Sequence, residues 1–217
     1  MIMDGNRRWA RAKHLPALIG HQIGLKALLS IVDHCIDRKM NSLTVFALSC
    51  ENMERSKVEL TALLGLLPLA LEQHLESLAK RNVCIQVLGD QQGLPAKTRS
   101  YLTKITERTK NGKGLQLTLA FNYSGRWHIQ QAVSKCQNAD STLESERCLD
   151  DFLRVGRSDP DLLIRTGGER RLSNFLLYQM AYTELYFTPV LWPDFTIKDF
   201  DDALHDFSQR ERRFGTQ

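Results

Sequence analysis

The stretch Leu115-Gln116-Leu117-Thr118-Leu119-Ala120-Phe121, succeeded at once by Asn122, is a short β-rich run that ends on a polar side chain. Runs of the same kind recur at Met1–Met3, Leu43–Leu48, Val83–Leu88, Leu162–Ile164 and Leu185–Phe187, and helical stretches alternate with them. That alternation predicts an α/β fold, a single domain with a central, mainly parallel six-stranded sheet flanked by helices. No internal repeat, low-complexity tract or Pro/Gly/Ser-rich linker divides residues 1–217, and the polar segment Gln137–Glu146 reads as a loop.

The residue just past each run is more informative than the run. Asp4 comes after the first, Ser49, Glu51 and Asn52 after the second, Asp90 after the third, Asn122 after the fourth and Arg165 after the fifth. Ligands of open α/β sheets bind outside the carboxyl ends of the strands, so carboxylates, amides and guanidiniums are expected around one mouth. Any single polar residue there could as well lead into an ordinary surface turn. The coincidence over several strands is what points to a site.

Composition sets bounds. With 217 residues, 42% hydrophobic and 25% charged, the chain has the make-up of one globular domain. Its longest strongly apolar stretch, Leu60–Leu71, is too short to cross a bilayer, and the amino terminus lacks the pattern of a signal peptide, so a cytoplasmic location is expected. Five cysteines, odd in number and without a C-x-x-C pair, predict reduced thiols rather than a disulfide framework or zinc site. A net charge of +4 does not select nucleic acid over small anions. There is no Walker A pattern and no G-x-G-x-x-G, which argues against the commoner nucleotide binders.

Ser56 with Glu59 has the spacing of a capping box, and the helix expected after it carries Leu60, Leu63, Leu64, Leu66, Leu67, Leu69, Leu71, Leu75 and Leu78. Such a helix is apolar nearly all round, with Pro68 expected to bend it. The pattern alone favours a central core helix; the sharper alternative is the wall of an apolar tunnel between sheet and helices.

Three constellations carry chemistry. Asp4-Gly5-Asn6-Arg7-Arg8-Trp9 places an acid, a flexible glycine and two guanidiniums between a strand and a helix. Glycine lets backbone N–H groups approach phosphate oxygens, arginine binds them bidentately, and Asp4 suits Mg²⁺, which takes one or two carboxylates plus substrate phosphates. Arg165-Thr166-Gly167-Gly168-Glu169-Arg170-Arg171-Leu172-Ser173-Asn174 repeats the theme, with a helix start expected after the glycine turn. Two cradles suggest two anionic substrates. Ser49-Cys50-Glu51-Asn52-Met53-Glu54-Arg55 links the polar mouth to the apolar helix.

These residues resemble the undecaprenyl diphosphate synthase family of cis-prenyltransferases over almost the whole chain. The matching motifs are M-D-G-N-R-R-W at Met3–Trp9, G-H-x-x-G at Gly20–Gly24, S-C-E-N-M-E-R at Ser49–Arg55, F-N-Y-S-G-R-W at Phe121–Trp127, R-T-G-G-E-R-R-L-S-N-F-L-L-Y-Q from Arg165, Y-T-E-L-Y-F at Tyr182–Phe187, L-W-P-D-F at Leu191–Phe195 and R-E-R-R-F-G at Arg210–Gly215. The resemblance implies that Asp4 works with Mg²⁺, while Gly5, Asn6, Arg7, Arg8, Trp9 and His21 receive an allylic substrate, farnesyl diphosphate. It implies that Arg165, Arg170, Arg171, Leu172 and Ser173 hold isopentenyl diphosphate, with Glu184 completing the metal site across a homodimer interface. Ser49, Cys50, Glu51, Asn52, Met53 and Arg55 fall on the family's mobile substrate-binding segment. A neutral amide is a poor base, so Asn52 is read as orienting a water or phosphate oxygen that takes the proton. The resemblance also implies a long polyprenyl product delivered to the membrane as a carrier for bacterial cell-wall synthesis, and it favours the tunnel reading of the leucine-rich helix.

Departures from the family pattern are specific. Three residues precede Asp4 where a longer lead-in is usual, Ala17 stands where a basic residue is usual, Cys50 and Met53 replace serine and tryptophan, and Arg170 replaces histidine. A non-catalytic partner subunit of a prenyltransferase complex is the competing reading, opposed by Asp4, Asn52, Arg165, Arg171 and Glu184 occurring together. Nucleic-acid binding through Arg210, Arg212 and Arg213 is disfavoured because no basic stripe runs through the chain.

Overall fold

A computed structural model of the chain describes residues 1–54, 57–138 and 145–211. In order these form α1 (Asn6–Ala12), α2 (Ala17–Asp37), β1 (Ser42–Ser49), a 3-10 turn (Cys50–Glu54), α3 (Lys57–Lys80), β2 (Cys84–Leu88), α4 (Ala96–Thr109), β3 (Gln116–Tyr123), α5 (Gly125–Asn138), α6 (Ser145–Leu153), β4 (Leu162–Arg165), β5 (Glu184–Phe187), a second 3-10 turn (Trp192–Asp194) and α7 (Ile197–Ser208).

The run from Leu115 becomes β3, the middle strand of a parallel sheet ordered β1-β3-β2, and all eight residues of that strand are buried. The period of two sorts its side chains onto two faces. Leu117, Leu119 and Phe121 pack with Leu28 and Ile31 of α2, Leu64 and Leu71 of α3, and Leu102 and Ile105 of α4. Ala120 joins Phe175, Leu176 and Met180 on the other side. There the Phe46 and Phe175 rings stack with centroids 4.7 Å apart. The polar Gln116 is accommodated because its Nε2 donates to Gln86 Oε1 across the sheet at 2.9 Å.

The six-stranded sheet expected from the sequence is not formed as such. The described residues make five strands, in a three-stranded sheet and a parallel β4-β5 pair. Met1–Met3 contributes only two parallel bridges, from Ile2 to Phe46 and from Ile2 to Arg165, and so acts as a seam between the two sheets. The backbone leaves the sheet at once: Gly5 takes φ +115°, and the Asp4 carbonyl accepts the Trp192 N–H at 3.0 Å rather than continuing a ladder.

Two further expectations are corrected. No helix forms after the glycine turn that succeeds Arg165; residues 166–183 run as turns to β5. Ser173, Asn174 and Leu176 have φ of +49°, +63° and +40°, and left-handed backbone at three of four positions cannot propagate a right-handed helix. The cysteines are not all reduced either, since Cys136 of α5 and Cys148 of α6 form a disulfide, while Cys35, Cys50 and Cys84 are free thiols. Spacing in sequence did not reveal that pair because the apposition of two helices creates it. The Ser56 and Glu59 capping box and residues 139–144 of the expected loop lie outside what the structure describes.

α3 continues through Pro68. Leu64, Leu67, Leu71, Leu75 and Leu78 are buried in the main core, as the core reading of this helix requires, while Leu69 is exposed. No described helix is long and apolar enough to cross a membrane.

Candidate active site

The seam at Ile2 delivers Asp4 to the carboxyl end of β4. The Asp4 N–H donates to Thr166 Oγ1 at 2.9 Å and the Thr166 hydroxyl donates to the Asp4 carbonyl at 2.7 Å, which locks the two loops together. Arg165, whose side chain is 4% exposed, places Nη2 3.0 Å from Asp4 Oδ2. Arg8 lies one helical turn beyond, with Nη2 3.2 Å from Asp4 Oδ1 and Nη1 donating to the Gly167 carbonyl at 2.6 Å. One carboxylate therefore lies between two guanidiniums, one from the first turn of α1 and one from the last residue of β4.

Arg165 is anchored from behind. Its Nη1 donates to Ser173 Oγ at 2.8 Å and to the Arg171 carbonyl, while its buried Nε has no hydrogen-bond partner. A buried, unsatisfied guanidinium N–H is a costly feature that an anion can relieve. Arg171 itself is exposed and paired with Glu169 at 2.5 Å, and Glu169 also lies 4.0 Å from Arg8. The close approach of these loops depends on Gly167, at φ +85°, where a Cβ would fall 2.4 Å from Arg8 Nη2.

The G-H-x-x-G motif has a packing role. A Cβ on Gly20 would lie 2.2 Å from the Asn6 carbonyl oxygen, and one on Gly24 would lie 2.1 Å from Asn6 Oδ1 and 2.7 Å from the Trp192 ring. The two glycines let α2 press against the start of α1, and Trp192 Nε1 closes the junction by donating to the Gly24 carbonyl at 2.7 Å. Asn6 Oδ1 is left buried without a donor beside this junction.

The Cys50–Glu54 turn is tied to the same mouth by a residue that the sequence marks only as the tail of a motif. Asn174 Nδ2 donates to Glu51 Oε1 at 2.9 Å and to Ser124 Oγ at 2.7 Å, and its Oδ1 accepts the Arg126 N–H at 3.0 Å. Burial pulls the Glu51 carboxyl upward, but the bonds from Asn174, the backbone and Ser49, with Arg126 nearby, outweigh it and leave the pKa below its ordinary value. Asn52 closes the turn on Ser49: its N–H donates to Ser49 Oγ at 3.2 Å and its Oδ1 accepts the Ser49 N–H at 3.4 Å. Cys50 Sγ donates to the Asn122 carbonyl at 3.4 Å, and burial with the nearby Glu51 and Asp90 charges pushes its thiol up.

A cavity of about 980 Å³ opens at this mouth. Of the residues singled out in the sequence, Asp4, Gly5, Asn6, Arg7, Arg8, His21, Ser49, Glu51, Asn52, Arg165 and Ser173 line it, and Arg11, Arg126 and Asn174 join them. Leu25, Leu28, Leu48, Leu63, Leu66, Leu67 and Phe121 supply apolar lining, so α3 serves core and cavity with neighbouring faces. Trp9, Cys50, Met53, Arg170, Arg171 and Leu172 do not line it. Trp9 is buried with Nε1 donating to Asp194 Oδ1 at 2.6 Å, and Leu172 packs on the apolar cluster around Phe175. Arg55 lies outside the described residues.

Glu184 is not brought to Asp4 within one chain. It opens β5, paired in register with Leu162, three residues before the Phe187–Arg165 pair at the mouth, and its carboxylate is bound by Arg210 at 2.8 Å. Among the described residues no group of three or more His, Cys, Asp or Glu side chains converges as a metal site.

Fold and site together define an α/β protein that gathers arginines, a carboxylate and glycine turns at the carboxyl edge of a parallel sheet, at the mouth of a cavity with apolar side chains along part of its wall. The prenyltransferase family model, described as undecaprenyl diphosphate synthase, matches residues 2–215. The chain belongs to the undecaprenyl diphosphate synthase family. It is 44% identical over 216 residues to the isoprenyl transferase of Neisseria meningitidis serogroup A, covering 99% of this chain and 87% of that protein. It is 43% identical over 222 residues to the farnesyl-diphosphate-specific ditrans,polycis-undecaprenyl-diphosphate synthase of Coxiella burnetii, covering 99% and 94%. Among solved structures it is similar to lavandulyl diphosphate synthase from Lavandula x intermedia in complex with dimethylallyl diphosphate. The TM-score is 0.93 and the identity 32%, over 99% of this chain and 95% of that one.

Proposed function

We propose that this protein is a Mg²⁺-dependent cis-prenyltransferase that condenses farnesyl diphosphate with successive isopentenyl diphosphates to a long polyprenyl diphosphate. The observation that carries the reading is the Asp4–Arg165 pair, 3.0 Å apart, at the rim of a cavity whose walls include α3 leucines. Charge chemistry at the rim is thereby placed next to space suited to a hydrocarbon chain.

Guanidiniums from the start of α1 and from the end of β4 suit two diphosphates. In this reading Arg8, with Arg7, Gly5 and Asn6, receives the allylic diphosphate, and Arg165, with Ser173, receives isopentenyl diphosphate. As the allylic carbon–oxygen bond breaks, negative charge grows on the departing diphosphate, and donors fixed beforehand favour that charge over the ground state. Attack by the isopentenyl double bond then forms the new carbon–carbon bond. Loss of a proton completes the cis double bond, with Asn52 orienting the accepting water or phosphate oxygen. The donor set fits Mg²⁺, because one partly exposed carboxylate beside phosphate-binding arginines leaves the remaining ligands to substrate oxygens and water. Asp4 would hold it, with Glu184 of a second copy as a further ligand, and it would supply Lewis-acid stabilisation of the leaving diphosphate.

Each added unit places more apolar carbon against the cavity wall, at about 0.8 kcal/mol per buried CH₂, which favours growth inward and makes a tunnel of the space beneath the rim. A homodimer, a cytoplasmic location and a role in making the lipid carrier for bacterial cell-wall synthesis complete the proposal. The test is incubation of purified protein with farnesyl diphosphate, labelled isopentenyl diphosphate and Mg²⁺, with products separated by chain length. A ladder ending in long products is expected; no elongation would overturn the reading in favour of a non-catalytic partner subunit.

A further inference from the structure

We propose that the exposed corner between α1 and α2 docks this protein on a bilayer bearing anionic headgroups, beside the mouth of the cavity. Its biological purpose rests on the proposed function, since a polyprenyl product is insoluble in water; the surface itself is read from the chain.

Residues 5–32 contain no Asp or Glu, although the chain has 25 of them in 217 residues, and they carry Arg7, Arg8, Arg11, Lys13 and Lys26. Arg11, Ala12, Lys13, His14, Leu15 and Pro16 are exposed in succession. Leu15 is 40% exposed and Leu18 39%. Gln22 and Lys26 continue the exposed side of α2 at one and two turns beyond Leu18.

The corner is held open by its backbone. His14 takes φ +55°, its N–H bonds the Arg11 carbonyl at 3.1 Å, the Leu15 N–H bonds Ala10 at 2.8 Å and the Ile19 N–H bonds Pro16 at 3.0 Å. Lys13 Nζ lies 4.8 Å from the centre of the Trp9 ring. The leucines are therefore presented at little further ordering cost on binding. Arg7, Arg8, Arg11 and His21 also line the cavity, so this corner adjoins its mouth.

Two exposed leucines are ordinary on a protein surface. A segment whose own charges are all cationic is what selects the occupant; the carboxylates beside it, Asp4, Glu169 and Asp194, come from other parts of the chain and face Arg8 and Trp9 rather than Lys13 or Lys26. Interfacial binding needs apolar side chains to insert and basic ones to meet anionic headgroups, and both are present without an opposing carboxylate in the segment. Nucleic acid would leave the leucines without a role, and a second copy of the same corner would meet like charge.

The full chain should cosediment with vesicles of phosphatidylcholine containing about one-third phosphatidylglycerol, and far less with phosphatidylcholine alone. Retention should weaken in ~0.5 M salt, which screens the cationic contribution. The Leu15→Ser/Leu18→Ser double variant should bind the mixed vesicles about tenfold more weakly, with melting temperature and elongation in detergent unchanged. Lys13→Glu should also weaken binding. Equal retention on both vesicle types, retention on neither, or parental binding by the double variant would each overturn the proposal. A change of oligomeric state in the double variant with vesicle binding intact would do so as well, by assigning the corner to a second copy. Failure of elongation in detergent would sink the catalytic reading instead, and leaves the vesicle measurement independent.

Discussion

Asp4 and Arg165 are separated by 161 positions in sequence and by 3.0 Å in space. Their contact fuses the amino-terminal loop to the end of β4, and both flank the cavity mouth. Neutralising Asp4 should separate chemistry from stability. Asp4→Asn should cut kcat/KM for elongation by about a hundredfold or more while lowering the melting temperature little, because this carboxylate is partly exposed. Arg165→Ala should cost about 3 kcal/mol in denaturant unfolding, since it strips partners from Asp4, Ser173 and the Arg171 carbonyl around a buried site.

Gly167 and Gly168 offer a controlled comparison, with φ of +85° and +80°. A methyl at 167 would meet Arg8 Nη2 at 2.4 Å and the Asp4 carbonyl oxygen at 3.1 Å, whereas one at 168 meets only the Pro189 Cα at 3.8 Å. Both alanine variants should lose about 1 kcal/mol for the left-handed backbone. Only Gly167→Ala should also raise KM for the diphosphates, by displacing Arg8, which steady-state kinetics would show.

Asn174→Ala should loosen the Cys50–Glu54 turn by removing the donor to Glu51 and Ser124. The expected result is a higher KM and faster hydrogen exchange at 50–54, with a smaller change in global stability. The latch also predicts a pH response. Folded Glu51 gives up its proton more readily than its ordinary 4.5 would allow, so its contribution is full above that pH and is lost as pH falls through the lower folded value. Protection of this turn in the parent should fade on acidification across that window, and the fading should be smaller in Asn174→Ala, where the backbone, Ser49 and Arg126 remain to favour the carboxylate.

The Cys136–Cys148 bond can be counted. Under denaturing, non-reducing conditions a thiol reagent should find three cysteines, and after reduction five. The bridge spans a sequence separation of 12, so its loss in Cys136→Ser should lower stability by up to about 3 kcal/mol on the chain-entropy account. Activity should persist, since neither sulfur lines the cavity.

Leu66 lies on the cavity wall. Leu66→Trp should fill space there and shorten the products while leaving the first condensation near its parental rate. Product length on a reversed-phase plate is the readout, and an unchanged length would argue against growth along α3.

The chain announced much of this through local pattern. Strand runs with polar successors predicted an α/β sheet with its site at the carboxyl edge, because strand periodicity and turn chemistry are properties of neighbouring residues. The acid, the two glycine-hinged arginine loops and the leucine-rich helix were legible for the same reason. The helix expected after Gly168 was not formed, because Asn174 spends its polar groups on Ser124, Arg126 and Glu51, in a left-handed backbone that only folding rewards. Met1–Met3 reads like the other runs, yet forms two bridges rather than a strand.

Sequence by itself determined which chemical groups are present and which side of the sheet they gather on, since both stem from short-range order along the chain. Tertiary structure alone decided that Asp4 lies between Arg8 and Arg165, that Asn174 latches Glu51, that Cys136 meets Cys148 and that Glu184 stays apart from Asp4 within one chain. Apart from the Asp4–Arg8 contact, those relationships join residues 12 or more positions apart in sequence. Their geometry is set by how helices and loops pack, which no local pattern encodes.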